Sequence, residues 1–151
     1  GSCNQRQHHR IQQVARTPTD EEEGTGIMRQ TIRFFLLFQG ASFAIAGLVH
    51  FGVLVGGYQH YQAAVAESSI AVVLLAGFGL TWAWTARTRL IGIAAQTLAL
   101  LGTLIGAFTI AIGVGPRTAP DIAYHVAIVI ALVCGLVVAA RAPADVARQQ
   151  V

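Results

Sequence analysis

Residues 34–55 read FFLLFQGASFAIAGLVHFGVLV. The run carries no charged side chain, and Gln39, Ser42 and His50 are its main polar groups. An α-helix needs roughly 20 mostly apolar residues to cross a hydrocarbon core roughly 30 Å thick. This stretch is long enough. Arg29 and Arg33 precede it, and Ala44-Ile45-Ala46 has the small-x-small look of a signal-peptide cleavage site. The apolar run continues past that point to Val55, which favours a retained helix over a cleaved leader.

Working outward, three more apolar stretches follow at about 63–84, 90–112 and 122–140. The connections GGYQHYQ, TARTR and GVGPRTAPD are short. Short loops make consecutive helices antiparallel neighbours. No run of short alternating segments suggests a β-barrel. The expected fold is all-α: an integral membrane four-helix bundle, up-down and antiparallel, over residues 34–140.

Composition agrees. Of the 151 residues 54% are hydrophobic and 11% charged, against about 25% charged in soluble domains. Between residues 34 and 86 the one charged residue is Glu67. That excludes an ordinary soluble domain, which needs polar cover for its core. Two cysteines, Cys3 in a polar tail and Cys134 in an apolar run, exclude a disulfide scaffold. The net charge of +3 comes without a basic patch interleaved with aromatics, so nucleic acid is not an expected partner. Residues 1–33 lack apolar periodicity and read as a disordered cytoplasmic segment, and the single Met, Met28, offers a native start that would make the residues before it non-native. Residues 141–151 read as a cytoplasmic tail.

Orientation follows from arginine. Arg29 and Arg33 flank the first span, Arg87 and Arg89 fill the middle loop, and Arg141 and Arg148 follow the fourth span. The first loop has none and the third has Arg117. Positive residues stay inside, so both termini are expected in the cytoplasm of a bacterial inner membrane. Trp82 and Trp84 then lie at the inner interface, with Tyr58, Tyr61 and Tyr124 at the outer one.

Small residues mark packing faces. Ala123, Ala127, Ala131, Gly135 and Ala139 recur every four residues, and Gly102 and Gly106 form a G-x-x-x-G spacing. Such faces let helix backbones approach closely in lipid. They serve either packing inside the bundle or association with another chain.

This topology sorts ionisable groups by depth. His50, Glu67, Asp121 and His125 fall within about 10 Å of one outer level at 1.5 Å per residue. His60 and Arg117 lie in the outer loops and read as interfacial. Arg117, His50 and His125 are the cationic or hydrogen-bonding partners within reach of Glu67. The inner half has no charged side chain on this reading, and Gln39 and Gln96 are positioned to pair. Asp121 after Pro120 suits a helix N-cap, and Asp121 and His125 share a helix face. His60 and Glu67 share one too if the second helix starts near Tyr58. A carboxyl inside a span is costly and by default paired or functional, which singles out Glu67. Histidines and carboxylates suit a transition metal, with His50, His125 and Glu67 as candidate ligands. Haem held by His50 and His125, or a quinone beside an apolar slot, are the other readings. No E-x-x-H, HExxH or CxxC motif selects among them.

FQGASFAIAGLVHFG in the first helix resembles the opening of DoxX-like membrane proteins. AESSIAVVLLAGFGL followed by RTRL is similar to their second helix: a Glu, a Leu-rich run into Gly, then a basic turn. The resemblance spans residues 34–101, and Glu67, Gly40, Gly47 and Gly77 match the pattern. His50 stands where many members carry Lys. The resemblance implies a small four-helix bundle with both ends inside, placed near membrane redox chemistry as a quinone-linked or accessory subunit. The expectation is therefore a non-enzymatic inner-membrane protein whose outward pocket of His50, Glu67, Asp121 and His125 binds a small ligand, proton, quinone or metal. The alternative is a structural subunit of a membrane complex or homo-oligomer.

Overall fold

The computed structural model describes residues 18–143. The expectations for residues 1–17 and 144–151 lie outside them. Four long helices follow one another: α1 (Pro18–His50), α2 (Tyr61–Ala83), α3 (Thr88–Ala111) and α4 (Ala119–Arg141). A 3₁₀ turn, Thr85–Arg87, joins α2 to α3. The described residues contain no strand. Each helix includes a span long and apolar enough to cross a membrane, with mean hydropathies of 1.8, 1.9, 1.9 and 2.6 in chain order.

The first helix departs from expectation at both ends. Residues 18–33 are helical, not disordered. Pro18 suits the first helical position. At the other end α1 stops at His50 and does not run on to Val55. Gly52 adopts a left-handed φ of 76°. Its N–H donates to the Val49 carbonyl at 2.9 Å and the Val53 N–H donates to Leu48 at 3.0 Å. These two bonds are a Schellman stop, which overrides the apolar pattern of residues 51–55. The ten-residue connection is closed by the His60 N–H donating to the His50 carbonyl at 2.9 Å.

Burial runs opposite to a soluble bundle. The inward stripe of α2 is Ala64, Glu67, Ala71, Leu74, Gly77 and Thr81. That of α3 is Thr88, Gly92, Ala95, Gln96, Ala99 and Thr103. Small and polar groups face inward, while Leu98, Ile105, Val126 and Ile130 are exposed. This is the arrangement expected where lipid, not water, covers the outside and close backbone approach holds helices together. A Cβ on Gly77 would sit 2.8 Å from that of Ala95, so α2 and α3 meet backbone to backbone.

Three polar layers cross the interior. Midway along α1, Arg33 is buried and donates to Thr81 on α2, through Nη2 to the carbonyl at 2.8 Å and Nε to Oγ1 at 3.3 Å. Its guanidinium lies 3.9 Å from the Trp82 ring centroid, a cation–π contact. This corrects the expectation of an inner half without charge; Arg33 is drawn inside because α1 starts well before residue 34. In the middle layer the Gln39 amide donates to Gln96 Oε1 at 3.3 Å and to the Ala131 carbonyl at 2.8 Å. The third layer, at the end of α1, holds the candidate site.

The small-residue stripe of α4 is not one face. Gly135 and Ala139 are buried, Ala131 is half-buried, and Ala123 and Ala127 are exposed. A four-residue step overshoots a whole number of turns by about 40°, so the stripe rotates about 160° from Ala123 to Ala139. Only its lower part reaches the bundle.

Candidate functional site

The C-terminal end of α1, the N-terminal part of α2 and the N-terminus of α4 meet at one end of the bundle. His50 lies on the α1 stripe that also buries Phe43 and Gly47, and Glu67 on the α2 stripe between Ala64 and Ala71. Helical spacing therefore turns both inward. The His50 ring sits between two carboxylates: Nδ1 is 2.6 Å from Glu67 Oε2 and Nε2 is 3.3 Å from Asp121 Oδ1. All three side chains are buried. Each ring nitrogen thus faces a carboxyl group, and the imidazole links α2 and α4 through both of its nitrogens.

Asp121 is held from its other side by residues that spacing did not single out. Thr118, not Asp121, is the N-cap of α4, and Asp121 is the third helical residue of a capping box. Pro120 is tolerated in the first turn because it needs no N–H there, so the helix begins before it. Asp121 Oδ2 accepts from the Thr118 N–H at 3.1 Å and the Thr118 hydroxyl at 2.5 Å. It also accepts from the Tyr58 hydroxyl. The Tyr58 ring stacks on His50, centroids 5.6 Å apart. Burial pushes the Tyr58 phenol above its ordinary pKa, and the bond to Asp121 adds to the shift. The phenol thus stays a donor. Thr118-x-x-Asp121 is the signal that marks this cap in the chain; nothing local marks Tyr58.

His125 joins the group differently. Its Nδ1 is 2.8 Å from the Asp121 backbone carbonyl. A carbonyl only accepts, so Nδ1 carries a proton and donates it there. Of the three candidate partners for Glu67 it is His50 that takes the carboxyl, and Arg117 is engaged elsewhere. It donates instead to the Ile110 and Ala111 carbonyls at 2.9 and 2.7 Å, closing the C-terminus of α3. His60 is exposed just before α2 begins at Tyr61, so it does not share the buried Glu67 face.

A cavity of about 400 Å³ opens beside this layer between α2 and α3. Glu67, Phe43 and His125 contribute to its wall, and so do Gly102 and Gly106. A Cβ on Gly106 would meet only His125 Nε2, 4.0 Å away. Gly106, expected as a packing contact, instead leaves space open. Glu67 Oε1 is buried and has no hydrogen-bond partner, although Oε2 is engaged by His50.

Among the described residues no group of three or more His, Cys, Asp or Glu is arranged to hold a metal ion. His50 commits both ring nitrogens to carboxylates, leaving none for a metal or for haem iron. No protein-family model matches the chain, and no curated protein or solved structure matches it either. The site stands on its own geometry.

Proposed function

We propose that this chain is a bacterial inner-membrane protein with both termini in the cytoplasm and its helices running alternately up and down. Its His50 end faces outward and binds a small molecule in the cavity walled by Glu67 and His125. One observation carries this reading: a buried carboxylate oxygen without a partner, Glu67 Oε1, on a residue that lines the cavity. Leaving such a group unsatisfied in an apolar setting is costly, and a ligand that engages it removes the cost. The resemblance to DoxX-like proteins adds a place near membrane redox chemistry as accessory to a larger system.

Filling the cavity tests this. Gly106→Leu adds bulk where the structure leaves room and removes no hydrogen-bonding group. Native mass spectrometry of protein released from mild detergent is expected to show a stoichiometric small molecule on the parent and not on Gly106→Leu. An identical spectrum for both would overturn the reading. The orientation is checked separately by cysteine labelling at positions 59 and 88. Opposite sidedness is the expected outcome, since six of the seven arginines from Arg29 onward fall on one side; labelling of both from the same face would exclude it.

The second reading, a structural subunit, draws on Ala123 and Ala127, which leave a shallow exposed strip on α4. Small exposed residues of this kind suit a partner helix.

A further inference from the structure

We propose that Arg29 and Arg33 on α1 form a phosphate site filled by the head group of one anionic phospholipid, an inference independent of the cavity. The two arginines are four residues apart on α1 and share a face. They lie at the end of the bundle opposite His50, since Arg33 bonds to Thr81 in the last turn of α2. Neither makes an ion pair among the described residues. The charge that bears on Arg33 is that of Arg29, which repels it. A guanidinium keeps its proton in proteins. Arg33, only 7% exposed, therefore places a full positive charge inside a membrane-spanning segment. Thr81 offers it a carbonyl and a hydroxyl, and Trp82 a ring face. These are dipoles and a quadrupole, and none is a counter-charge.

A cation at this depth is expected to be paired, and like charges at i, i+4 destabilise a helix. Hydrogen bonding is incomplete at the same place. Arg33 commits Nε and Nη2 to Thr81, and Nη1 takes part in neither bond. Arg29 Nε is buried with no partner. Spare donors on two uncompensated cations are the complement of a phosphate group, whose oxygens accept from guanidinium and whose charge cancels it. The surroundings favour a phosphate that carries acyl chains. Arg29 is half-buried at the rim, and Trp82 beside Arg33 is 55% exposed. Phe34, Leu37 and Phe38 follow on α1 toward the middle layer and are exposed, so chains below the head group have an apolar surface to lie along. On the proposed orientation this end faces the cytoplasm, the leaflet rich in anionic lipid, where basic pockets between helices bind head groups.

The experiment uses full-length protein in mild detergent, titrated with phosphatidylglycerol and read by native mass spectrometry. Phosphatidylcholine with the same acyl chains is the comparison, because its phosphate charge is already cancelled within the head group. One phosphatidylglycerol per chain is expected to stay bound, at least about tenfold tighter than phosphatidylcholine, the scale of one hydrogen bond to a charged group. Arg29→Gln is expected to remove that preference. Arg87→Gln takes an exposed charge from the same end and is expected to leave most of it. Arg33→Gln should act like Arg29→Gln, but the test does not depend on its folding, since the half-buried Arg29 is replaced without opening the core. Equal retention of both lipids by the parent would overturn the proposal. Equal losses in Arg29→Gln and Arg87→Gln would overturn it too, since they would mean diffuse attraction without a site. Inorganic phosphate is the third arm: if it binds while phosphatidylglycerol shows no preference over phosphatidylcholine, the site takes a free phosphate and the lipid proposal is wrong.

Discussion

His50→Leu is expected to destabilise the bundle by about 1–3 kcal/mol, the cost of stranding buried hydrogen-bond partners. The side chain removed is hydrogen-bonded to Glu67 Oε2 through Nδ1 and to Asp121 Oδ1 through Nε2. Without it, two buried carboxyls face each other across a space lined by leucine methyls. His50→Gln restores one donor of similar reach and should recover part of the loss. Unfolding by SDS titration in mixed micelles, followed by far-UV circular dichroism, ranks the parent, His50→Gln and His50→Leu in that order of decreasing stability. Equal midpoints for all three would show that the trio contributes nothing to folding.

The second large effect falls on the middle layer. Gly135 on α4 faces the Gln39–Gln96 pair, and a Cβ placed there would lie 2.8 Å from Gln39 Nε2 and run into Gln96 Oε1. Gly135→Ala therefore pushes apart the two amides that tie α1 to α3, along with the bond from Gln39 to the Ala131 carbonyl. Overpacking of this kind costs about 1–3 kcal/mol, and interhelical hydrogen bonds in lipid add about 0.6 kcal/mol each. Gly79→Ala is the matched control, because a Cβ there meets nothing within 4 Å. It should be neutral or stabilising by up to about 1 kcal/mol through helix propensity. The same SDS titration separates the two. Loss of stability at Gly79 equal to that at Gly135 would mean that backbone flexibility, not the amide layer, is what glycine supplies.

Much of this molecule is legible along the chain because lipid imposes a length. Four apolar runs near 20 residues each suffice to mark four helices, since an unsatisfied backbone is too costly inside hydrocarbon to allow other structure. The same constraint makes Glu67 conspicuous, and the turn count puts His50, Asp121 and His125 at a matching depth. Helical spacing likewise marks Gln39 and Gln96 as able to meet.

Depth is not contact, however, and tertiary structure decided the rest. Apolar character alone does not end α1 at His50; the left-handed Gly52 does. Ending there turns the chain so that Tyr58, which the aromatic pattern places only at the outer interface, stacks on His50 and donates to Asp121. Which partner Glu67 takes depended on helix rotation: His50 received it, while Arg117 turned to the α3 carbonyls. The i, i+4 alanines of α4 look like one stripe in sequence, yet helical drift carries the upper ones out of the bundle. Gly102 and Gly106 show the same limit, since a small residue is equally suited to close packing and to an open space. Local spacing specifies which residues share a helix face. Only the packing of four helices specifies whether that face meets a backbone, an imidazole or a cavity.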